Sequence, residues 1–275
     1  MNYNKNILVL LFLFFALIKF SVAVQGQNSD KKLNLDIVFI GNSITYGATL
    51  DNPSQDAPPV IASEYLRRKK GINSVSFSNQ GRSGCTTLDF LPTTVIFTDV
   101  AKAVKNLHVD PTHLLVFSFS LGTNDSAIKG TNGAPVSKEV YQQNMKTIID
   151  ELLIRFPEAK ILIQQPIYYT PNTENGAKYL EEGLARLQTY FPVLKSLVKS
   201  YSKTQAGKVF LGDQRSFTYF KNKYKTLLTP ENGKQGVFYL HPNKQGAFKL
   251  GEIWGESIYN SAKHSFKQKI VFDQF

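Results

Sequence analysis

The sequence predicts an α/β fold in which helices cover both faces of a central parallel sheet of five strands. Short apolar segments alternate along the chain with longer amphipathic segments, and this alternation is typical of parallel strands joined by helices. The chain of 275 residues has the length of one large domain. We find no internal repeat, low-complexity tract or linker in it. We therefore expect a single three-layer domain.

The predicted elements follow one another in strand–helix order, with spacings that suit right-handed crossovers. The predicted strands are residues 36–41, 74–79, 113–121, 160–165 and 208–212. The predicted helices are residues 59–70, 93–106, 137–156, 178–204 and 243–262. Pro192 lies inside the fourth helical segment. Because proline is tolerated mainly at a helix start, we expect this helix to be broken before Pro192.

The amino-terminal segment has the features of a secretory signal peptide. Lys5 precedes an apolar run at residues 7–18, and residues 21–23 supply the small side chains of a cleavage site. The run is shorter than the roughly 20 residues of a membrane span. We therefore expect cleavage, export to the periplasm or beyond the cell, and no membrane span afterwards. The predicted division is signal peptide 1–23, polar leader 24–34, folded domain 35–262 and carboxyl-terminal tail 263–275.

Charge and cysteine content exclude some classes of protein. The formal net charge is +11, but the basic residues are dispersed apart from the run 67–70 at a predicted helix end, where cations are ordinarily favoured by the helix dipole. We therefore expect no nucleic-acid partner. The positive charge could attract the protein to an acidic polysaccharide or an anionic surface, but it indicates no particular partner. Cys85 is the single cysteine, so no intrachain disulfide forms and the fold relies on its apolar core.

Ser43 directly follows the first predicted strand. The apolar run at residues 37–40 ends at Gly41, and ligands of open parallel sheets bind beyond the carboxyl ends of the strands. A serine at this place could be a nucleophile, or it could simply cap a helix. The choice depends on what the neighbouring strand ends supply.

The loops after the second and third strands carry groups that could hold an anion. Residues 79–87 contain Gly81 and Gly84, and glycine lets backbone N–H groups approach a ligand closely. Residues 122–125 place Asn124 after the third strand, where its amide is a neutral donor suited to an oxyanion. Each loop alone could equally be ordinary turn chemistry.

His241 is the one histidine of four that a loop could carry over these strand ends. It precedes the last predicted helix, whereas His108 and His113 flank a loop at the opposite edge of the sheet and His264 lies in the polar tail. An imidazole beside a serine hydroxyl can act as its general base. The alternative is a histidine that caps a helix or packs in the core.

Together these segments resemble the four blocks of the SGNH hydrolases, also called the GDSL-like esterase family, and they occur in the same order. The blocks are GNSIT at 41–45, NQGRSG at 79–84, GTND at 122–125 and HPN at 241–243. The resemblance covers about residues 36–259. It implies a flavodoxin-like three-layer sandwich and a serine esterase that uses no metal and no cofactor.

The resemblance also implies a role for each matched residue. Ser43 would attack an ester carbonyl, and His241 would take its proton and later give it to the leaving alcohol. The backbone N–H groups of Ser43 and Gly84 and the side-chain amide of Asn124 would form the oxyanion hole.

The sequence departs from the family at the residue that orients the histidine. The family usually has an aspartate three residues before the histidine, and here that position is Phe238, which cannot accept a hydrogen bond. Glu231 and Asp213 are the candidates to replace it. Alternatively, a backbone carbonyl orients His241, or the site has lost its activity. We expect Phe238→Asp to leave activity unchanged or to raise it modestly.

The sequence thus predicts an exported serine esterase that hydrolyses small acyl esters, with O-acetyl groups on carbohydrates as the substrate that the family and the export signal favour. Its partner would be a small-molecule or glycan ester. Aromatic residues at 168–169 and 217–224 could stack on sugar rings or pack in the core. The alternatives are acyl transfer to a sugar hydroxyl and a carbohydrate-binding protein with an inactive site.

Overall fold

The computed structural model describes residues 32–272. The predicted signal peptide, residues 1–23, lies outside this range, as does most of the predicted leader. Within the described residues, no helix is both long and apolar enough to cross a membrane.

A parallel sheet of five strands forms the centre of the fold, as the sequence predicts. The strands lie in the order β2-β1-β3-β4-β5, and each neighbouring pair is parallel. Their bounds are β1 (Leu33–Gly41), β2 (Ile72–Gly81), β3 (Leu114–Ser120), β4 (Lys160–Ile163) and β5 (Val209–Leu211). Because β1 lies between β2 and β3, the loops that follow these three strands meet at one edge of the sheet.

Helices cover both faces of the sheet. Their bounds are α1 (Ser43–Tyr46), α2 (Pro53–Asp56), α3 (Pro58–Arg67), α4 (Val95–Leu107), α5 (Lys138–Arg155), α6 (Leu180–Thr204), α7 (Ser216–Leu227) and α8 (Lys244–Phe272). Trp254 of α8 stacks on Phe39 of β1 with ring centroids 6.4 Å apart. Phe156, after α5, packs on Phe117 of β3 at 5.8 Å. Phe117 is paired with Val38, so these two ring contacts lie on opposite faces of the sheet.

Helix α6 is continuous through Pro192, contrary to the expected break. A proline inside a helix removes one backbone hydrogen bond and costs about 3 kcal/mol. The buried face of α6 extends on both sides of the proline, from Leu187 and Tyr190 to Leu194 and Tyr201. Packing of this whole face against the core outweighs the local cost, since tertiary contacts supply most of a helix's stability.

A helix and a hairpin that the sequence reasoning missed lie between β5 and α8. Helix α7 is followed by the antiparallel strands β6 (Leu228–Gly233) and β7 (Gly236–Pro242). Asn243 then begins α8, because its side-chain oxygen accepts the backbone N–H of Gly246 at 2.9 Å. Helix α8 continues beyond residue 262, where the sequence predicts its end. The hairpin β6–β7 carries both His241 and Glu231 to the edge where β1 ends.

Candidate active site

Ser43 is the first residue of α1, directly beyond the carboxyl end of β1. Asn42 caps this short helix, and its side-chain oxygen accepts the backbone N–H of Ile44 at 3.0 Å. The turn is tight, since a Cβ at Gly41 would lie 2.0 Å from Thr45 Oγ1. The strand end and the cap together hold the Ser43 hydroxyl at the rim of the sheet.

His241 meets Ser43 across 198 positions of the chain. Its Nε2 lies 2.9 Å from Ser43 Oγ, and its Nδ1 lies 2.9 Å from Glu231 Oε1. The same carboxylate oxygen accepts the backbone N–H of His241 at 3.3 Å. Because a carboxylate only accepts, Nδ1 carries the ring proton and Nε2 presents its lone pair to the Ser43 hydroxyl. This arrangement can remove the hydroxyl proton as a nucleophile forms.

Of the two candidate acids, Glu231 reaches the histidine and Asp213 does not. The carboxylate of Asp213 accepts the backbone N–H groups of Arg215 at 2.8 Å and Ser216 at 3.2 Å, at the start of α7. Asp213 follows β5, three strands from β1, a separation of about 14 Å at ordinary strand spacing. The hairpin register instead pairs Glu231 with Phe238. The acid is therefore supplied by the strand that faces the position where the family has its aspartate.

Phe238 belongs to the core rather than to the site. Its side chain is 1% exposed, and a Cβ at Gly233 would come within 2.8 Å of its ring. An aspartate here would bury a charge next to Glu231, its neighbour across the hairpin. We therefore expect Phe238→Asp to destabilise the fold, a cost that the expectation of unchanged or modestly raised activity did not include.

Gly84 and Gly81 have different roles. Gly84 adopts a φ of +79°, in the region that favours glycine, and a Cβ there would meet no atom within 4 Å. A Cβ at Gly81 would lie 2.3 Å from Tyr46 N. Gly81 therefore lets β2 pack against α1, whereas Gly84 leaves its backbone accessible to a ligand, as an oxyanion donor requires.

Asn124 is 3% exposed and its amide is held at both ends. Its Nδ2 donates to the carbonyl oxygen of Cys85 at 2.8 Å, and its Oδ1 accepts the Tyr179 hydroxyl at 2.7 Å. An amide nitrogen has two N–H donors, so one is left to serve a ligand. Sequence reasoning missed Tyr179, because nothing in a tyrosine at the start of a predicted helix, 55 positions away, indicates this contact.

Cys85 lies next to Gly84 but is a poor nucleophile. Burial chiefly, and then the charge of Asp89, raise the pKa of its thiol to about 11. The thiol therefore stays protonated at neutral pH, and the thiolate is the reactive form. The serine hydroxyl is the better candidate for covalent chemistry at this edge.

The aromatic residues that could have stacked on sugar rings mostly pack on one another. Tyr168 is buried and meets Phe217 edge-on at 5.8 Å. Tyr224 of α7 is half-buried and meets Tyr239 of β7 at 5.0 Å. These rings therefore support the hairpin that carries the histidine.

Two further predictions concern the position of His108 and His113 and the binding of a metal ion. His108 and His113 contact the buried carboxylate of Asp36 at 2.8 and 3.2 Å, near the start of β3 and so at the edge opposite Ser43. In the part of the chain that the structure describes, no group of three or more His, Cys, Asp and Glu residues is arranged to hold a metal ion.

Asp125, the neighbour of Asn124, is a fully buried acid with one paired oxygen. Its Oδ1 accepts the backbone N–H of Thr87 at 3.0 Å and the Thr87 hydroxyl at 2.5 Å. Its Oδ2 has no hydrogen-bond partner among the described residues. Burial raises the pKa of Asp125 to about 6, although the Thr87 hydrogen bonds lower it. This acid ties the Asn124 loop to the loop after β2.

Comparison with known proteins identifies the family and the fold. Residues 39–247 match the GDSL-like Lipase/Acylhydrolase family. The chain is similar in fold to Est24, a carbohydrate acetylesterase from Sinorhizobium meliloti, with a TM-score of 0.54 and 16% identity over 82% of this chain and 98% of that chain. It is also similar to a catalytic mutant of Axe2, an acetylxylan esterase from Geobacillus stearothermophilus, with a TM-score of 0.53 and 16% identity over 84% and 94% of the two chains.

A third similar structure is the native aryl esterase of M. smegmatis, with a TM-score of 0.52 and 15% identity over 82% of this chain and 98% of that chain. At such identities the likeness shows the fold alone. No curated protein matches the sequence.

The burial of Phe238 generates a prediction about stability. Phe238→Asp removes a core ring and buries an unpaired charge, so it should lower the free energy of unfolding by about 3–5 kcal/mol, measured by urea denaturation. Val237→Asp is the matched control, because Val237 is 50% exposed on the same strand and should change stability by about 0.5 kcal/mol or less. Equal stability of Phe238→Asp and the wild type would contradict the core role.

The raised pKa of Asp125 predicts how stability depends on pH. In the folded state Asp125 holds its proton up to about pH 6, against an ordinary pKa of 3.8. The folded state therefore binds more protons between these values, and the free energy of unfolding falls as the pH rises through this window. Asp125→Asn should remove this fall, so that its stability relative to the wild type rises by about 2 kcal/mol from pH 4 to pH 7. Urea denaturation at several pH values tests this, and parallel curves for the two proteins would refute it.

Proposed function

The chain belongs to the GDSL-like lipase/acylhydrolase family, a family of carboxylic ester hydrolases, and from this membership we propose that it is a serine esterase for small acyl esters with Ser43 as nucleophile. The observation that carries the proposal is the run of hydrogen bonds from Glu231 through His241 to Ser43. These three groups lie at the edge of the sheet where Gly84 and Asn124 also lie.

The proposed reaction begins with proton transfer from Ser43 Oγ to His241 Nε2 as the oxygen attacks the ester carbonyl. The negative charge that develops on the carbonyl oxygen is stabilised by hydrogen bonds donated by the backbone N–H groups of Ser43 and Gly84 and by Asn124 Nδ2. His241 then gives the proton to the departing alcohol oxygen, which leaves an acyl-serine.

Water completes the proposed cycle. It gives a proton to His241 Nε2 and attacks the acyl carbonyl carbon. The same three oxyanion-hole donors stabilise the second oxyanion. His241 then returns the proton to Ser43 Oγ as the carboxylic acid departs. Glu231 stabilises the imidazolium in both half-reactions, because its carboxylate is hydrogen-bonded to Nδ1. The family's aspartate is thus replaced in function by a glutamate on the other strand of the hairpin.

For the substrate we propose O-acetyl groups on carbohydrates. Two proteins of similar fold are by name a carbohydrate acetylesterase and an acetylxylan esterase, which supports this choice. We also propose that the protein is exported to the periplasm or secreted, and the basic and apolar character of the amino-terminal residues supports this. A polysaccharide substrate outside the cytoplasm is consistent with export.

The hydrogen-bonded serine, histidine and glutamate favour an active enzyme over a carbohydrate-binding protein with an inactive site. A binding protein has no need of a base held on a serine hydroxyl. Acyl transfer to a sugar hydroxyl uses the same acyl-serine and differs only in the group that attacks it, so it is a variant of the same chemistry.

The role of Glu231 predicts the effects of two substitutions. Glu231→Gln should lower kcat/KM for p-nitrophenyl acetate by about 10²–10⁴-fold, because a neutral amide does not stabilise the imidazolium. Asp213→Asn, the other acid suggested by the sequence, should change kcat/KM by less than about threefold, with a thermal unfolding curve recorded to confirm folding. A large loss in Asp213→Asn together with a small one in Glu231→Gln would reverse the assignment.

The substrate proposal is tested by release of acetate from a panel of acetylated oligosaccharides and polysaccharides. Wild-type protein should release acetate and Ser43→Ala should release none above background, since it lacks the attacking oxygen. Adding an unacetylated oligosaccharide together with an acetyl donor would reveal transfer as a new acetylated sugar. Hydrolysis of aryl acetates with no release from any glycan would contradict the carbohydrate part of the proposal.

A further inference from the structure

An oxyanion donor on a side-chain amide works only in one of its two flips. The Asn124 amide is almost symmetrical in shape, but rotation by 180° would exchange its N–H groups for a carbonyl oxygen. A carbonyl oxygen pointing at the developing oxyanion repels it. The rate therefore depends on what fixes the flip of Asn124.

Two contacts define the flip in the structure. Asn124 Nδ2 donates to the carbonyl oxygen of Cys85 at 2.8 Å, and Asn124 Oδ1 lies 2.7 Å from the hydroxyl of Tyr179. The carbonyl of Cys85 can only accept and Oδ1 can only accept, so the Tyr179 hydroxyl must be the donor. The opposite flip would set Oδ1 against the Cys85 carbonyl and leave the phenol without its acceptor.

Tyr179 is suited to this task because it remains a neutral donor. It is 3% exposed. Burial chiefly, and then the charges of Glu231 and Asp125, raise the pKa of its phenol, so the hydroxyl keeps its proton throughout the pH range in which an esterase works.

The backbone around Tyr179 is held firmly. The N–H groups of Tyr179 and Leu180 both donate to the carbonyl of Thr173, at 3.1 and 3.2 Å. Leu180 has a φ of +53°, a conformation that costs a non-glycine residue free energy and is found preferentially at functional sites. A backbone β-bridge between Lys178 and Lys129 joins this segment to the loop that carries Asn124. These contacts hold the backbone from which the Tyr179 hydroxyl reaches Asn124 Oδ1.

We propose that Tyr179 is a positioning residue for the oxyanion hole, which it serves by fixing the flip of Asn124. The inference rests on the proposed esterase function, since it assigns a task to a residue that touches no reacting atom. Removing one oxyanion donor altogether costs about 10²–10³-fold in kcat. Freeing the amide costs less, about 10-fold in kcat if the wrong flip is populated for about nine-tenths of the time.

Tyr179→Phe tests the proposal because it deletes only the hydroxyl. For p-nitrophenyl acetate, kcat should fall about 10-fold while KM changes by less than threefold. In an Asn124→Ala background the same substitution should change kcat by less than twofold, because there is no amide left to orient. A merely structural tyrosine would lower activity equally in both backgrounds.

Tyr169→Phe is the matched control. Tyr169 is buried in the same segment, and its hydroxyl lies 2.9 Å from Ser126 Oγ, so this variant also loses one buried hydroxyl. Thermal unfolding should shift by a similar amount in the two variants, while kcat of Tyr169→Phe stays within about twofold of wild type.

The outcomes separate the inference from the function on which it rests. A wild-type protein that hydrolyses the ester through Ser43, with Tyr179→Phe within twofold of it in kcat, overturns the positioning role alone. An equal loss in the Asn124→Ala background also overturns it. No Ser43-dependent hydrolysis by the wild type would refute the proposed function, and the inference with it.

Discussion

The hydrogen bond between His241 Nε2 and Ser43 Oγ is the interaction on which the site depends, and the hairpin β6–β7 makes it possible. A two-stranded hairpin is marginally stable by itself, so this one must be held from outside. It is tied to α7 through Asn243 N and the Leu227 carbonyl at 3.0 Å, and to the segment before Pro171 through Thr170 N and the Tyr239 carbonyl at 2.9 Å. The central sheet fixes the serine, whereas these contacts fix the base.

The segment between β4 and α6 links the two halves of the site. At Thr170 it bonds to the strand that carries His241, and at Tyr179 it bonds to Asn124. The groups that would move protons and the group that would stabilise an oxyanion are therefore held by one stretch of chain. Such rigid placement of donors before the reaction is what makes electrostatic stabilisation effective. It also explains why the aromatic residues of this region are buried instead of exposed to a ligand.

The sequence was a good guide wherever a candidate site residue lies in the loop just beyond a strand of the central sheet. Ser43, Gly84 and Asn124 could be placed at one edge because parallel strands end together, and the five strands were predicted close to their observed bounds. It was a poorer guide where tertiary contacts decide. Packing on both sides of Pro192 outweighs the local cost of proline in α6. The hairpin register that brings Glu231 opposite Phe238 could not be predicted from the separation of these residues along the chain. The Asn-Gly pair at 232–233 before an apolar run was the available signal for that hairpin.

The proposed chemistry requires that His241 activate the Ser43 hydroxyl. The most direct measurement is covalent labelling of the protein with a fluorescent organophosphonate, followed by peptide mass mapping of the modified residue. This readout requires no knowledge of the natural substrate. We expect a single label on the peptide that contains Ser43, formed rapidly in the wild type and nearly absent in His241→Ala. A label on another residue, or equal labelling of both proteins, would contradict it.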